Sequence, residues 1–226
     1  MNNEIPFAKP LLDVSPRCGL HVLVADVMAL NSDQLYCYAL ERVSEQRRQA
    51  IIGMKSRMAQ NLRLGATLLL NRLLREHGLY ERDMNYALSE HGKPYFSNCS
   101  HMAFSLSHSG TLAAAALMPQ PFVSYTPDAW KQAHPEPRQY SLLGLDIQRP
   151  TRVREQLATS VFSEAEQAQI MADTQPDQTF TRLWARHESH VKATGQGVSR
   201  PLPPIPAEAD LFEYELGGYQ LCICLI

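Results

Sequence analysis

No stretch of this 226-residue chain approaches the roughly 20 consecutive apolar residues that span a bilayer. Strong charge of either sign is also missing. Twenty-one Lys and Arg stand against 23 Asp and Glu, a formal charge of -2 that argues against a general nucleic-acid binder but leaves room for a local basic pocket. The opening Met1-Asn2-Asn3-Glu4 has neither the basic nor the apolar region of a signal peptide. The expectation is a soluble cytoplasmic protein with no membrane or nucleic-acid partner. There is no CxxC pair among the five cysteines, Cys18, Cys37, Cys99, Cys222 and Cys224. An odd count without paired spacing reads as buried reduced thiols rather than a metal or redox site. Cys222 and Cys224 would share one face of a strand. A zinc-protease helix is excluded too: His187-Glu188-Ser189-His190 has Val191 where the second histidine belongs.

What remains is an ordinary globular balance, with length for one large domain or two small ones. Leu20 to Val27 reads as a strand. Ser44 caps a helical stretch reaching His77, with Gly78 as its stop and Gly53 as a break. Leu62, Leu69, Leu70, Leu73 and Leu74 give its second piece a broad core face. Met84 to Leu88, Met102 to Leu106 and Leu112 to Met118 are strands, the last two flanking a turn at Ser107-His108-Ser109-Gly110. Pro119 to Tyr140 carries five prolines and no helical period, and reads as an inserted surface loop or hairpin. Leu142 to Ile147 is a strand, Ser163 opens a helix, and Thr179 to Thr194 forms another. Arg200 to Pro206 is extended. Leu211 to Leu216 and Tyr219 to Leu225 make a hairpin around Gly217-Gly218. The two halves run alike, although no sequence repeat is visible.

Trp184, Glu188 and Lys192 step along one flank of the 179–194 helix at spacings of four, beside the apolar stripe Phe180, Leu183, Trp184, His187 and Val191. A carboxylate there can reach a metal or take a proton, and a lysine one turn on can hold phosphate. Taken alone, Glu188 and Lys192 are equally a surface pair worth roughly 0.3–0.5 kcal/mol. His187 is either a packed core histidine or a phosphate contact. Asp146 closes the apolar run Leu142-Leu143-Gly144-Leu145, and its ordinary role would be a turn or cap. A carboxylate ending a buried strand and a carboxylate–lysine flank can together hold a divalent cation and a phosphate, which points to chemistry on a phosphate ester.

Four islands in order resemble the phosphopantetheinyl transferases, in particular the larger single-chain type with two similar halves. They are Gly92-Lys93-Pro94, the run Phe104 to Gly110, Gly144-Leu145-Asp146-Ile147, and Trp184 through Gly195; Phe162-Ser163 with Glu166 adds a fifth. The resemblance implies transfer of the 4′-phosphopantetheine arm of coenzyme A to a serine of an apo acyl or peptidyl carrier protein, with Mg²⁺ as cofactor and release of 3′,5′-ADP. The carrier would serve fatty acid, polyketide or peptide synthesis. It implies that Lys93, Ser107, His108 and Lys192 contact coenzyme A. It implies Asp146 and Glu188 as metal ligands, with Gln148 and Glu166 as further candidates. Glu188, Lys192 and His187 are then the catalytic set, Glu188 as base. The plain alternatives are a turn lysine for Lys93, a backbone cap for His108 and a capping box for Ser163 and Glu166.

This chain departs from the family pattern in three places. Gln148 stands where the family has Glu, His187 where it has Lys, and the 119–140 insertion separates two motifs. The first two departures raise an alternative: a catalytically weakened or inactive relative that binds coenzyme A or a carrier protein. The expected architecture is α/β (α+β), two similar subdomains in a pseudo-two-fold arrangement, each an antiparallel-rich sheet packed by helices. Residues 1–118 form one subdomain, 119–140 the inserted loop and 141–226 the other, with the ligand in the cleft between them and a monomer as the working unit.

Overall fold

The computed structural model describes residues 10–17, 19–120, 122–124, 138–140, 142–153, 155–197 and 200–226. Its first half runs β1 (Leu12–Arg17), β2 (Leu20–Asp26), α1 (Asp33–Leu40), α2 (Glu45–Ile52), α3 (Arg57–Glu76), β3 (Tyr86–Leu88), β4 (Pro94–Phe96), β5 (Met102–Ser109) and β6 (Leu112–Pro119). A short hairpin, β7 (Phe122–Ser124) with β8 (Arg138–Tyr140), follows. The second half runs β9 (Leu143–Gln148), α4 (Glu155–Val161), α5 (Glu164–Ala172), α6 (Pro176–Thr194), β10 (Asp210–Leu216) and β11 (Tyr219–Leu225).

Two antiparallel sheets result, in the orders β1-β2-β6-β5 and β10-β11-β9. Each half sends out a strand, then helices, then a hairpin whose last strand pairs with the first: β6 on β2, β11 on β9. The apolar alternation stacks these sheets. Leu20, Val22, Val24, Ala114, Ala116 and Met118 form one cluster with Leu143, Leu145, Ile147, Leu221, Ile223 and Leu225. The intervening residues, Leu23, Ala25, Ala113, Ala115 and Leu117, point the other way and pack with the leucines of α3. β2 and β6 are thus covered on both faces, which is why their sequences read as nearly unbroken apolar runs.

Helix placement follows from local signals. Ser44 and Ser56 accept the N-cap bonds of α2 and α3, and Gly53 ends α2 as expected. α3 crosses its sheet at Gly65, where a Cβ would run into the side chain of Val27. α6 lies on β9 at Gly144, where a Cβ would strike the backbone of Ser189 and Ala193. Across β9 the period-two alternation sends Leu143, Leu145 and Ile147 into the intersheet core, and Asp146 to the face beneath α6.

The halves meet along β5 and β9. Ser105, Ser107 and Ser109 of β5 accept hydrogen bonds from the backbone N–H groups of Leu145, Ile147 and Arg149. This seam corrects one expectation. Residues 107–109 are strand, not turn; β5 continues opposite Ala114, Ala113 and Leu112, and the turn is confined to Gly110 and Thr111. Elements not anticipated are β1, α1, β4 and α4. β1 is an edge strand with a register shift between Val14 and Arg17, and Pro16 is tolerated there because an edge can spare an N–H donor. Within the insertion, the hairpin is seen at its two ends, while 125–137 fall outside the described residues. Cys99, Cys222 and Cys224 are buried free thiols, and burial pushes Cys222 and Cys224 up to about 12. Cys18 lies outside the described residues. Among the described residues, no helix is long and apolar enough to cross a membrane.

Candidate active site

A cleft of about 510 Å³ opens where α2, α3, β3 and β5 of the first half face β9 and α6 of the second. Ser107, His108, Asp146 and Lys192 line one side of it, Arg47 and Arg63 another, and Tyr86, Leu88, Pro94 and Leu106 supply much of the rest.

The centre is a junction of three elements. Lys192, in the last turn of α6, donates to Asp146 Oδ1 at 2.6 Å and to Ser107 Oγ at 3.0 Å. Ser107 in turn donates to the same Oδ1 at 2.8 Å. Asp146 is buried, and its Oδ2 has no hydrogen-bond partner among the described residues. A buried carboxylate oxygen left open is costly unless a cation or donor meets it. Glu188, one turn before Lys192 on α6, is half-buried. Burial and the neighbouring Asp146 charge raise its pKa, against the opposing pull of Lys192. Gln148 follows Asp146 on the same face of β9, and its amide nitrogen donates to Thr151 Oγ1 at 3.2 Å. Its carbonyl oxygen is therefore the atom it can offer.

His108 sits on the α3 side of β5. Burial lowers its pKa, helped by Lys192 and Arg63, so its imidazole is held toward the neutral form. Lys93 occupies a different place from the cleft floor. Its ammonium donates to Ala193 O at 2.5 Å and Leu143 O at 3.3 Å, bridging the end of α6 and the start of β9. Burial lowers its pKa to about 8.

His187 and Glu166 are brought to each other rather than to Asp146. His187 is buried, with Nε2 2.6 Å from Glu166 Oε1 and Nδ1 3.2 Å from the carbonyl of Pro203. Glu166 Oε2 accepts from the backbone and hydroxyl of Ser163, completing a capping box on α5. Burial works to raise the Glu166 pKa, but the bonds from His187 and Ser163 outweigh it and hold the carboxyl below its ordinary value. Trp184 packs on Phe180 with ring centroids 6.3 Å apart.

Three cleft residues escaped the sequence reading: Arg47, Arg63 and Tyr86. Arg47 is buried, its guanidinium carbon 3.7 Å from the centroid of the Tyr86 ring, with Nε and Nη2 unpartnered among the described residues. The buried Glu81 accepts from the Ser44 amide and hydroxyl at 2.6 and 2.9 Å, fixing the start of α2. A signal was available. Arg47 lies in the first turn of a helix, where a cation opposes the helix dipole and calls for another reason to be there. The cleft thus combines cations at two stations, an apolar wall and the Asp146 carboxylate, a fitting arrangement for a long, polyanionic ligand with an apolar portion.

Residues 142–215 match the family model described as the 4′-phosphopantetheinyl transferase superfamily. Over 141 residues the chain is 28% identical to the 4′-phosphopantetheinyl transferase Sfp of Bacillus subtilis, covering 62% of this chain and 54% of that protein. It is 29% identical over 142 residues to AcpT of Salmonella typhimurium, covering 60% of this chain and 64% of the relative. With HetI of Nostoc it shares 31% over 130 residues, 54% of this chain and 46% of the relative. The chain therefore spans about half the length of the Bacillus relative. The resemblance to the phosphopantetheinyl transferase superfamily drawn from the four islands is borne out by these matches; two of the four, at 144–147 and 184–195, lie within the family-model segment, as does the fifth at 162–166.

Proposed function

We propose that the chain transfers the 4′-phosphopantetheine arm of coenzyme A to a serine of an apo acyl or peptidyl carrier protein, releasing 3′,5′-ADP. The observation that carries this reading is the convergence of Asp146, Lys192 and Ser107 at one end of a cleft that also holds Arg47 and Arg63. The similarity to Sfp favours the larger single-chain type, with 1–118 and 141–226 as its two units and 119–140 as the insertion. A monomer would suffice, since one chain contributes both sides of the cleft.

The residues fit a divalent cation. Asp146 Oδ2 is an open buried carboxylate oxygen, and Glu188 lies close enough to feel the Asp146 charge. Mg²⁺ is commonly held by one or two carboxylates together with waters and substrate phosphates, so a full protein cage is not required. Asp146 and Glu188 would hold it, Gln148 offering a neutral oxygen. When bound, it would supply neutralisation of charge on the pyrophosphate.

The chain's own residues do the rest. Arg47, Arg63 and Lys192 balance the anionic ligand, and Lys192 is placed to steady a transferring phosphate. Glu188 takes the proton from the carrier serine hydroxyl as its oxygen bonds to the β-phosphorus. The bond between that phosphorus and the bridging oxygen breaks, and the electron pair leaves on 3′,5′-ADP. A raised carboxylate pKa suits this work, because a base poised nearer neutrality accepts a proton more readily. Glu166 and His187 would act from behind α6, bracing it against α5, and Lys93 would brace its end.

Incubation with coenzyme A, Mg²⁺ and an apo carrier should release 3′,5′-ADP in step with loss of the apo form. Absence of 3′,5′-ADP with acyl and peptidyl carriers alike would contradict the proposal.

A further inference from the structure

Ser107 is buried on β5, and three groups already occupy its hydroxyl. Oγ donates to Asp146 Oδ1 at 2.8 Å, accepts from the Ile147 amide at 3.1 Å and accepts from Lys192 Nζ at 3.0 Å. A serine hydroxyl has one proton to give and two lone pairs to receive. These bonds exhaust it. A phosphate oxygen would need the proton that Asp146 holds.

Its neighbours sharpen the point. Ser105 and Ser109 each accept one backbone amide from β9, which secures the seam between the sheets. Ser107 does the same and also ties a carboxylate and an ammonium, so it links the register of the seam to the height and rotation of the Asp146 carboxylate. With Oδ1 fixed by Ser107 and Lys192, Oδ2 is the oxygen left open.

We propose that Ser107 is a positioning residue that sets the Asp146 carboxylate, and that its hydroxyl does not contact coenzyme A. This inference rests on the transferase reading for its kinetic consequences but not for its structural ones. Removing the hydroxyl leaves the Ile147 N–H without its partner and leaves Asp146 Oδ1 held by Lys192 without the second bond that fixes its rotation.

The test compares Ser107→Ala and Ser107→Thr in the full chain, with Ser107→Val as a second hydroxyl-free variant should alanine fail to fold. In carrier modification, loss of the hydroxyl should lower kcat about tenfold or more while KM for coenzyme A stays within about twofold, and threonine should restore most of kcat. The Mg²⁺ concentration giving half activity should rise in the hydroxyl-free variants. Hydrogen exchange without coenzyme A, metal or carrier supplies the independent arm. The Ile147 amide should exchange about tenfold faster in the hydroxyl-free variants and near the wild-type rate in the threonine variant. A raised KM for coenzyme A with unchanged kcat would make Ser107 a ligand contact and overturn the proposal, as would unchanged exchange at Ile147. A wild-type chain that modifies no carrier would sink the functional reading, while the exchange result would still decide the role of Ser107.

Discussion

Glu188 shows how much of the chemistry rests on one environment. Burial and the Asp146 charge both disfavour its ionised form, so it titrates above an ordinary glutamate. Below that raised pKa it is protonated and cannot accept the serine proton, so the acid limb of the rate profile should lie at higher pH than for a free carboxylate. The linkage has the opposite sign for stability. In the window between the ordinary and the raised pKa the folded state binds more protons than the unfolded one, so this group's contribution to stability is lost as pH rises through it. Glu188→Gln should therefore cut carrier modification about a hundredfold or more, while its thermal midpoint at neutral pH equals or exceeds wild type. A large drop in both would make Glu188 a structural residue instead. Lys93 gives a second titration. Its pKa falls from 10.5 to about 8 on folding because of burial. Between those values the unfolded state binds more protons, so stability rises with pH. The difference in urea midpoint between wild type and Lys93→Met should shift in favour of wild type from pH 8 to pH 10.5, and a flat difference would contradict the burial of this ammonium.

At the level of elements, the site depends on how closely α6 approaches β9. Gly144 permits that approach, because a side chain there would meet the backbone of Ser189 and Ala193. Gly144→Ala should destabilise the fold by about 1–3 kcal/mol, read as a lower urea midpoint, and should depress transfer further by moving Lys192 off Asp146. Unchanged stability would mean that α6 sits farther out. The sequence announced the long helices and the strands of the sheets through apolar periodicity and serine caps; the ordered motifs pointed to Asp146 and Glu188 on a cation with Lys192 on phosphate, and the direct Lys192–Asp146 bond was not legible in them. Short elements such as β4 and α4 were not legible, since so few residues carry no period of their own and tertiary pairing decides them. The true reach of β5 was hidden for a similar reason. Ser107, His108 and Ser109 have the composition of a turn, and only the partner strands β6 and β9 make them strand. Lys93, read as a phosphate contact, instead bonds carbonyls roughly fifty and a hundred positions away, a distance no local pattern encodes. Likewise, the binding of His187 to Glu166 needed α5 and α6 to be packed side by side before it could be seen.

The molecule as a whole is organised around a shared core. The faces of both sheets bury Val22, Val24, Leu145 and Ile223 in one cluster, the serine seam joins β5 to β9, and Arg17 bonds Asp210 at 3.2 Å between β1 and β10. Two halves that bury their apolar faces against each other should not unfold one at a time. Urea transitions followed by far-ultraviolet circular dichroism and by tryptophan fluorescence should coincide, and two separated transitions would show that each half holds a core of its own. The same assembly gives the cleft its composition, because the arginines come from α2 and α3 while Asp146 comes from β9 and Lys192 from α6. The most direct measurement is the intact mass of an apo carrier protein after incubation with the chain, coenzyme A and Mg²⁺. If the chain is the transferase, the carrier serine gains one phosphopantetheine arm with wild type and gains it much more slowly with Glu188→Gln. Carrier proteins of both the acyl and peptidyl kinds that keep their apo mass with the wild-type chain would contradict it.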